Sequence, residues 1–277
     1  MNQPITQCAS NLTGPDPSRA SRAGGLNTRA APFDRRSFQP EEVTDIEVGA
    51  KVDLFDRRLR ANVAAFASKT KGAQRVIVAP INNNPSQYLQ NAGNVNSKGL
   101  ELEITALPWQ GMKVTGGAAY LDSSYEAGTF VENRGTVLAP LLVDRSNEPV
   151  PQAPKWALNV GATQDWQLGF GVASIHVDYS WIDKKVIFYS TPTPGSSAAV
   201  VNDVAIANRL ATLDSRGLLN GRISLALKNG VEVSLWARNL TKKEYFTYAF
   251  DVYNALGLTT VDQGDPRTFG AGVKYSF

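Results

Sequence analysis

Cysteine and histidine are almost missing from this sequence of 277 residues, in which Cys8 and His176 are the single representatives of their types. One cysteine excludes an intrachain disulfide framework and any multi-cysteine metal site. One histidine excludes the metal-binding and catalytic constellations that need several histidines. We therefore expect no cofactor and no metal ion held by such side chains.

Long apolar runs and a strong charge imbalance are missing as well. No stretch of about 18 apolar residues occurs, so no transmembrane helix is expected. The formal net charge is +3, which is too balanced to favour a nucleic-acid partner. The start of the chain, "MNQPITQCASNLTGPDPSRAS", has neither a basic segment nor an apolar one, so no signal peptide is expected.

What the sequence does contain is a regular alternation of apolar and polar residues, which is clearest from Gly221 to Asn239. In the middle of this stretch, Asn229-Gly230 favours a two-residue type I′ turn, which needs positive φ at both central residues. The stretch therefore predicts a β-hairpin with one apolar face. That face must touch either a protein core or lipid.

The same alternation recurs along the chain and predicts about nine strands, joined alternately by short turns and long loops. Strands of about 10 residues with this rhythm are typical of an antiparallel transmembrane β-barrel. Aromatic residues near the predicted strand ends fit its interfacial belts: Trp109, Tyr120, Trp156, Trp166, Tyr179, Trp181, Tyr275 and Phe277. Residues 1–40, rich in Ser, Pro, Gly, Asn and Arg, are expected to form an irregular, disordered N-terminal segment ahead of a barrel segment over residues 41–277.

A soluble all-β binding module, such as a sandwich or lectin-like domain, is the alternative fold. It would also alternate, but with shorter strands and without the strict parity of short and long connections. Burial of the apolar face between two sheets and folding without detergent would favour it. An odd set of strands cannot close as an antiparallel barrel, and an open edge is costly in hydrocarbon. The count of nine therefore favours a segment of a larger barrel.

Four segments resemble TonB-dependent outer-membrane receptors in order and spacing. The resemblance covers Gly24 to Phe277 and begins with "GGLNTR". Its four segments are Phe38–Phe66, Asn91–Pro108 ("NAGNVNSKGLELEITALP"), Asn239–Phe246 ("NLTKKEYF") and Gly264–Phe277 ("GDPRTFGAGVKYSF").

The resemblance implies a barrel of about 22 strands, plugged by an N-terminal globular domain, in the cell outer membrane. It implies uptake of a scarce ligand, such as a siderophore, cobalamin or an oligosaccharide, energised by the TonB complex. The plug, the TonB box and the earlier strands are not expected in this chain, which would supply the last strands of the barrel. We therefore expect contact with outer-membrane lipid, coupling to TonB only through the missing plug, and no transport by the chain alone.

The last strand resembles the C-terminal signal that the barrel-assembly machinery reads. The signal consists of the terminal Phe277 and the alternating Phe269, Val273 and Tyr275. The alternative is that any last strand with an apolar face ends in this way.

Two groups of side chains on strands could suggest catalysis, but a lumen-facing role is favoured for both. Glu101 and Glu103 share a strand face about 7 Å apart, and paired carboxylates serve in glycosidases. Similar charges on the same face of other strands favour a polar interior instead. His176 shares a face with Asp178 and Ser180, but adjacent strand positions build no oxyanion hole. No enzyme is expected.

Ligand contacts are expected in the long loops, since binding residues concentrate on loops held by a rigid scaffold. The candidates are Tyr125–Ala153 and Tyr189–Arg216. These loops show no residue pattern that is specific for one ligand. The charged residues of the first loop are Glu126, Glu132, Arg134, Asp144 and Arg145.

Overall fold

The computed structural model describes residues 9–27, 37–81, 84–133, 141–251 and 259–277. Its main feature is an antiparallel sheet of ten strands, each paired with its neighbours in chain order, which confirms the predicted all-β antiparallel fold. We call this sheet the wall. Its strands are β1 Ala9–Arg22, β2 Glu41–Leu54, β3 Leu59–Lys71, β4 Val95–Ala106, β5 Met112–Tyr125, β6 Trp156–Leu168, β7 Gly171–Ile182, β8 Arg216–Leu227, β9 Val231–Arg238 and β10 Thr268–Tyr275.

The prediction of an irregular N-terminal segment is wrong for Ala9–Arg22, which forms β1 and brings the wall to ten strands, where about nine were predicted. This strand pairs along β2 from Ala9 opposite Asp53 to Arg22 opposite Glu41, with a register shift between Thr13 and Asp16. Prolines within β1 hide the alternation, and an edge strand tolerates them because it has one unpaired side.

Because the wall has ten strands, an odd strand count no longer supports the inference that the chain is a segment of a larger barrel. Because ten is even, β1 and β10 run in opposite directions. Both strands are edges of the described sheet.

The hairpin around Asn229-Gly230 forms with the predicted faces, but its turn is not the predicted type I′. Gly230 has φ +87°, whereas Asn229 is not among the described residues with positive φ. The Gly230 amide donates to the Leu227 carbonyl at 3.1 Å, and the Asn229 side chain accepts from the Val231 amide at 3.2 Å. A three-residue loop that ends in a left-handed glycine explains this geometry, since such loops also connect hairpins.

A second short turn has a conformation that the sequence does not indicate. Phe55, Asp56 and Arg57 all have positive φ, between 53° and 65°. Non-glycine residues adopt this region at a cost, so the turn between β2 and β3 is strained.

The two faces of the wall differ in chemistry, as the alternation of apolar and polar residues along the strands predicts. One face, the outer face, is apolar across neighbouring strands, as in the row that joins Val48, Ala65, Leu100, Tyr120 and Trp156. The other, the inner face, is polar. It carries Glu47, Lys51, Asn62, Glu103, Lys113, Thr163, His176, Asp178, Asn220, Arg222, Glu232 and Lys274.

The outer face is open rather than packed against a second layer. Leu100, Ile223 and Leu235 are 55%, 56% and 59% exposed. A sandwich would bury such side chains between its sheets. The soluble all-β alternative therefore gains no support from the wall.

Smaller elements occupy the long connections. The described residues contain one helix, α1 Ala198–Leu210, which begins after the N-cap Ser197. No helix in the described part of the chain is long and apolar enough to cross a membrane. The short strand pairs are Gly25–Leu26 with Ser37–Phe38, Gln74–Ile81 with Asn84–Asn91, Val131–Asn133 with Leu142–Asp144, Lys185–Val186 with Thr212–Leu213, and Phe246–Asp251 with Thr259–Gln263.

Candidate functional site

The five long connections all leave the wall at one end, because the strands alternate in direction and the short turns alone connect them at the other end. We call this the long-loop end. Its connections cover residues 23–40, 72–94, 126–155, 183–215 and 239–267. Nearly all the buried apolar side chains of the described residues lie there, including Phe130, Val143 and Ile187. The site to consider is therefore this end of the sheet.

Two arginines and one glutamate form a buried cluster that joins three of the connections. We call Arg75, Arg145 and Glu148 the arginine–glutamate cluster. Arg145 donates to both Glu148 oxygens at 2.6 and 2.9 Å, and Arg75 donates to Glu148 Oε2 at 3.0 Å. Both arginines also donate to the Tyr189 carbonyl, at 2.9 and 3.0 Å. Charge-assisted bonds of this kind fix the relative positions of the loops that carry them.

The cluster is buried and rests on an aromatic ring. Arg145 and Glu148 are each 4% exposed. The guanidinium groups of Arg75 and Arg145 lie 5.5 and 4.8 Å from the centroid of the fully buried Phe130 ring. Thr191 Oγ1 donates to Glu148 Oε1 at 2.7 Å. A buried carboxylate needs such partners, because an uncompensated buried charge is strongly destabilising.

This geometry brings together the two loops that the sequence predicted as ligand-contacting, Tyr125–Ala153 and Tyr189–Arg216. It also adds the connection over residues 72–94, which sequence reasoning missed. Arg75 is 73 residues from Glu148 and 114 from Tyr189 in the sequence. No local pattern reports a contact between residues so far apart.

The predicted charged residues of the first loop have different environments. Arg145 is a buried structural residue rather than a free ligand contact. Glu126 lies near the surface, where Asn94 and Lys69 donate to its oxygens at 2.8 and 3.1 Å. Arg134 and the Glu132 side chain lie outside the described residues.

Hydrogen bonds lower the pKa of two of these carboxyl groups. Donation from the Asn94 amide, followed by donation from Lys69, holds the pKa of Glu126 below its ordinary value. Bonds from the Ser146 hydroxyl and amide do the same for the pKa of Asp144. Both groups are therefore charged at neutral pH.

The inner face positions the remaining candidate residues as a polar lining. Asn62 donates to Glu103 at 3.2 Å, whereas Glu101 faces Ala64 and Ala119 across the sheet. These contacts give Glu101 and Glu103 no shared reacting position.

His176 belongs to a chain of polar contacts on the same inner face. Its Nδ1 lies 2.8 Å from Thr163 Oγ1, and its Nε2 lies 3.6 Å from Asp178 Oδ1. Asn220 donates to Asp178 at 2.7 Å, while Ser180 lies opposite Asn159 and Leu218. The arrangement is a cross-strand network rather than a nucleophile with a base.

Acidic and sulfur-containing side chains do not gather into a metal centre in the part of the chain that the structure describes. No group of three or more His, Cys, Asp or Glu there could hold a metal ion. The polar groups available to a ligand are those of the inner face and the surfaces of the long connections.

Two belts of aromatic side chains border the outer face. Near the long-loop end, the Tyr120 and Trp156 rings lie 4.8 Å apart. Near the short-turn end, Trp166 and Trp109 are 45% and 58% exposed. Trp156 and Trp166 lie on the same face of β6, ten residues apart, which is about 34 Å along a strand and about 24 Å across a membrane at a tilt of about 45°. Outer-membrane barrels carry an apolar band about 25 Å tall between such belts.

The comparison with protein families decides the identity of this fold. The family model for the TonB dependent receptor-like β-barrel matches residues 14–240. The chain belongs to the TonB-dependent receptor family. This confirms the predicted family, the fold class and the assignment to the outer membrane, where members of the family reside.

Individual receptors resemble parts of the chain or its fold. The metal-pseudopaline receptor CntO of Pseudomonas aeruginosa is 34% identical over 88 residues, which are 32% of this chain and 12% of that receptor. The ferric yersiniabactin uptake receptor FyuA of Yersinia pestis shares the fold with a TM-score of 0.70 at 15% identity, over 94% of this chain and 34% of that one. The copper transporter OprC matches with a TM-score of 0.66 at 16% identity, over 99% of this chain and 38% of that one.

This TonB-dependent receptor chain therefore spans about a third of the length of the solved structures that it matches. The family and these neighbours are transport receptors, not enzymes. Their names concern siderophores and metals, whereas the ligand of this chain is a separate question.

Proposed function

We propose that this chain supplies part of the barrel, namely the wall and its five long connections, of an outer-membrane receptor that takes up a metal or a metal chelate. The observation that carries the proposal is the amphipathic wall, which has an open apolar face between two aromatic belts and a polar inner face. The names of the similar receptors support a metal-related ligand over cobalamin or an oligosaccharide. They concern metal-pseudopaline, ferric yersiniabactin and copper.

Ligand contact falls to the long-loop end in this proposal. The arginine–glutamate cluster holds three connections together, so their surfaces form one continuous face toward the ligand. The cluster itself stays structural, because its charged groups are buried and bonded to one another. Exposed groups on the same connections, rather than Arg145, would meet the ligand.

Energy coupling needs more than these residues. The TonB complex acts through a plug domain, which we place outside the wall strands and their long connections. The inner face of the wall is polar and open to such a plug, with Glu103, His176 and Arg222 among its side chains. We therefore propose that the chain alone moves no ligand.

The C-terminal strand has the further role of a signal to the barrel-assembly machinery in this proposal. Phe269, Val273 and Tyr275 lie exposed on the outer face of β10, and Phe277 follows them. Removal of Phe277 alone should lower the amount of chain in the outer membrane of living cells. The same deletion should leave refolding into detergent micelles unchanged, which separates recognition by the machinery from folding.

The test of function uses a bacterial strain that lacks its own receptor for a radiolabelled ferric chelate. The full chain is expressed behind an export signal, either alone or together with a plug and the preceding strands from a related receptor. We expect the chain in the outer-membrane fraction in both cases, and accumulation of iron only when the second part is present. Recovery of the chain as a soluble periplasmic protein would contradict the proposal.

A matched variant controls for the role of the inner face. Substitution of Val160, on the outer face of β6, by Arg should remove the chain from the outer-membrane fraction. Substitution of the neighbouring Asn159, on the inner face, by Arg should leave the chain in the outer-membrane fraction. Equal behaviour of the two variants would contradict the orientation on which the proposal rests.

A further inference from the structure

A strip of charged residues crosses the outer face on the long-loop side of the aromatic belt. Lys98 and Asp122 are cross-strand partners one alternate position beyond Leu100 and Tyr120. The next row in the same direction contains Lys69, opposite Asn96. These residues point to the same side as the apolar band, so they meet the surroundings of the barrel rather than its interior.

The charged residues of this strip line one side of a groove on the outer face. The groove has a volume of about 530 Å³, which lies in the range of small-molecule sites. Its lining includes Thr44, Ile46, Ala67, Lys69, Lys98 and Asp122. Lys71 and Ser124 extend the lining toward the long-loop end.

Two lysines of the groove, Lys69 and Lys98, have partly or largely exposed side chains. Lys98 Nζ lies 3.4 Å from Asp122 Oδ2, and its side chain is 71% exposed. Lys69 Nζ lies 3.1 Å from Glu126 Oε2, and its side chain is 43% exposed. Exposed ion pairs of this kind are weak. Each ammonium group can therefore take a further anionic partner beside its carboxylate.

The apolar part of the groove lining is Ile46 and Ala67, and it borders the apolar band of the outer face. Ile46 and Val48, on the outer face of β2, are 49% and 48% exposed. Leu100, at 55%, lies in the same row as Val48, with Ala65 between them. An acyl chain that starts in the groove therefore has an unbroken apolar path along the sheet. A free inorganic anion would gain nothing from that path.

The long loops of outer-membrane barrels are extracellular, so the groove lies at the level of the outer leaflet. We propose that it binds the phosphate group of an anionic lipid in that leaflet. The site lies one alternate residue beyond the aromatic belt, about 7 Å along the strands, and interfacial aromatic residues mark the headgroup level. A lysine ammonium group is a point-charge ligand for phosphate, and basic residues near a membrane surface attract anionic lipids. This inference rests on the proposed placement of the wall in a membrane.

The experiment uses the full chain refolded in micelles of a neutral detergent. Dioleoyl phosphatidate is added in steps, and native mass spectrometry counts the lipid molecules that each chain retains. Dioleoyl phosphatidylcholine, with the same acyl chains and no net charge, is measured in parallel. We expect preferential retention of phosphatidate.

A pair of double variants of equal charge locates the binding. Lys69→Gln with Lys98→Gln removes two of the three groove lysines and leaves Lys71 in place. Lys113→Gln with Lys274→Gln removes two inner-face lysines near the short-turn end and is the control. We expect the groove variant to bind phosphatidate about fivefold more weakly for each lysine removed, roughly 25-fold in total. The control variant should bind as the unchanged chain does.

Three results would contradict the proposed lipid site in the groove. Equal retention of phosphatidylcholine would show that acyl chains alone are bound. Equal loss of binding in both double variants would show that net charge alone matters. Displacement of the lipid by millimolar inorganic phosphate would show that a free anion satisfies the site.

The membrane placement can fail separately. A chain that stays folded and monodisperse without detergent would contradict the proposed function itself. A chain that needs detergent but does not distinguish the two lipids would contradict the groove alone.

Discussion

The wall and the long-loop end keep their apolar side chains in opposite places. On the wall, large apolar residues such as Leu100 and Leu235 are more than half exposed. At the long-loop end, Phe130 and Ala92 are fully buried, and two charged residues, Arg145 and Glu148, are buried with them. The wall therefore resembles a surface made for lipid, whereas the long-loop end has small cores of the kind found in water.

The difference indicates where each region obtains its stability. The wall strands are joined by backbone hydrogen bonds, and their outer face gains free energy only when an apolar solvent covers it. The long connections bury apolar and charged groups against one another, so they can order without lipid. The two regions should therefore respond differently to substitution and to the removal of lipid.

The largest effect is expected from Glu148→Ala at the long-loop end. The substitution leaves Arg75 and Arg145 buried without this carboxylate, and breaking a buried ion pair in this way costs about 3–5 kcal/mol. Hydrogen exchange of the backbone amides should show loss of protection across residues 72–81, 84–94, 126–130, 141–155 and 183–197. The wall strands should keep their protection.

The control for that variant is Lys69→Ala, which breaks an exposed ion pair with Glu126. We expect little change in the hydrogen exchange of the long connections in this variant, since exposed ion pairs contribute about 0–1 kcal/mol to stability. If Glu148→Ala lowered the protection of the wall as much as that of the connections, the two regions would not be separate units.

The next largest effect is expected from Val160→Arg on the wall. Arginine on the lipid face near the bilayer midplane costs about 2–4 kcal/mol in barrel proteins. Val160 and Asn159 are neighbours on β6 with opposite faces, so Asn159→Arg is the matched control. Unfolding in urea from phospholipid vesicles gives the two free energies. Equal losses for both variants would break the comparison between the faces.

A smaller effect is expected from replacing two glycines with positive φ, one of which also has a close neighbour. The comparison separates the cost of backbone conformation from the cost of close packing. Gly230 in the wall hairpin and Gly195 in a long connection have similar positive φ values, +87° and +81°. A methyl group at Gly230 would meet the Ser276 carbonyl oxygen, whereas nothing lies within 4 Å at Gly195. We expect Gly195→Ala to cost about 1 kcal/mol and Gly230→Ala to cost more. Urea unfolding in detergent measures both, and equal costs would show that the contact at Gly230 is relieved without penalty.

The smallest effect concerns pH. The pKa of Glu126 is lowered in the folded chain, so its charged form contributes stability above the ordinary pKa. That contribution is lost as the pH falls through the lowered value. Glu126→Gln should therefore make the protection of the long-loop end less dependent on pH between about pH 6 and pH 3. An unchanged pH profile in the variant would show that other carboxyl groups, such as Asp144, carry the dependence.

Much of the wall could be predicted from the sequence, because strand alternation reports which residues share a face. The apolar outer positions of β2, β4 and β8 follow directly from it, and so do the four short turns. The edge strand β1 could not be predicted in this way, since its prolines and small polar residues interrupt the pattern.

The sequence did not predict the turn type at Asn229-Gly230 or the arginine–glutamate cluster, and the reasons differ. Asn-Gly is compatible with both two-residue and three-residue hairpin loops, so the dipeptide predicts the hairpin better than the turn type. The contacts of the cluster that join different connections are between residues 43 to 114 positions apart. Such contacts depend on the whole sheet, which positions the connections beside one another.

The most direct test of the lipid-facing wall is a spin-label scan along β6 in phospholipid vesicles. Single cysteines replace each residue from Ala157 to Gln167 in a Cys8→Ser background, and a nitroxide is attached to each. Collision with oxygen, which concentrates in lipid, is compared with collision with a water-soluble nickel chelate. We predict that oxygen collisions are highest at the even-numbered positions and nickel collisions at the odd-numbered ones. A scan without this alternation, or with nickel collisions highest at the even positions, would contradict the account.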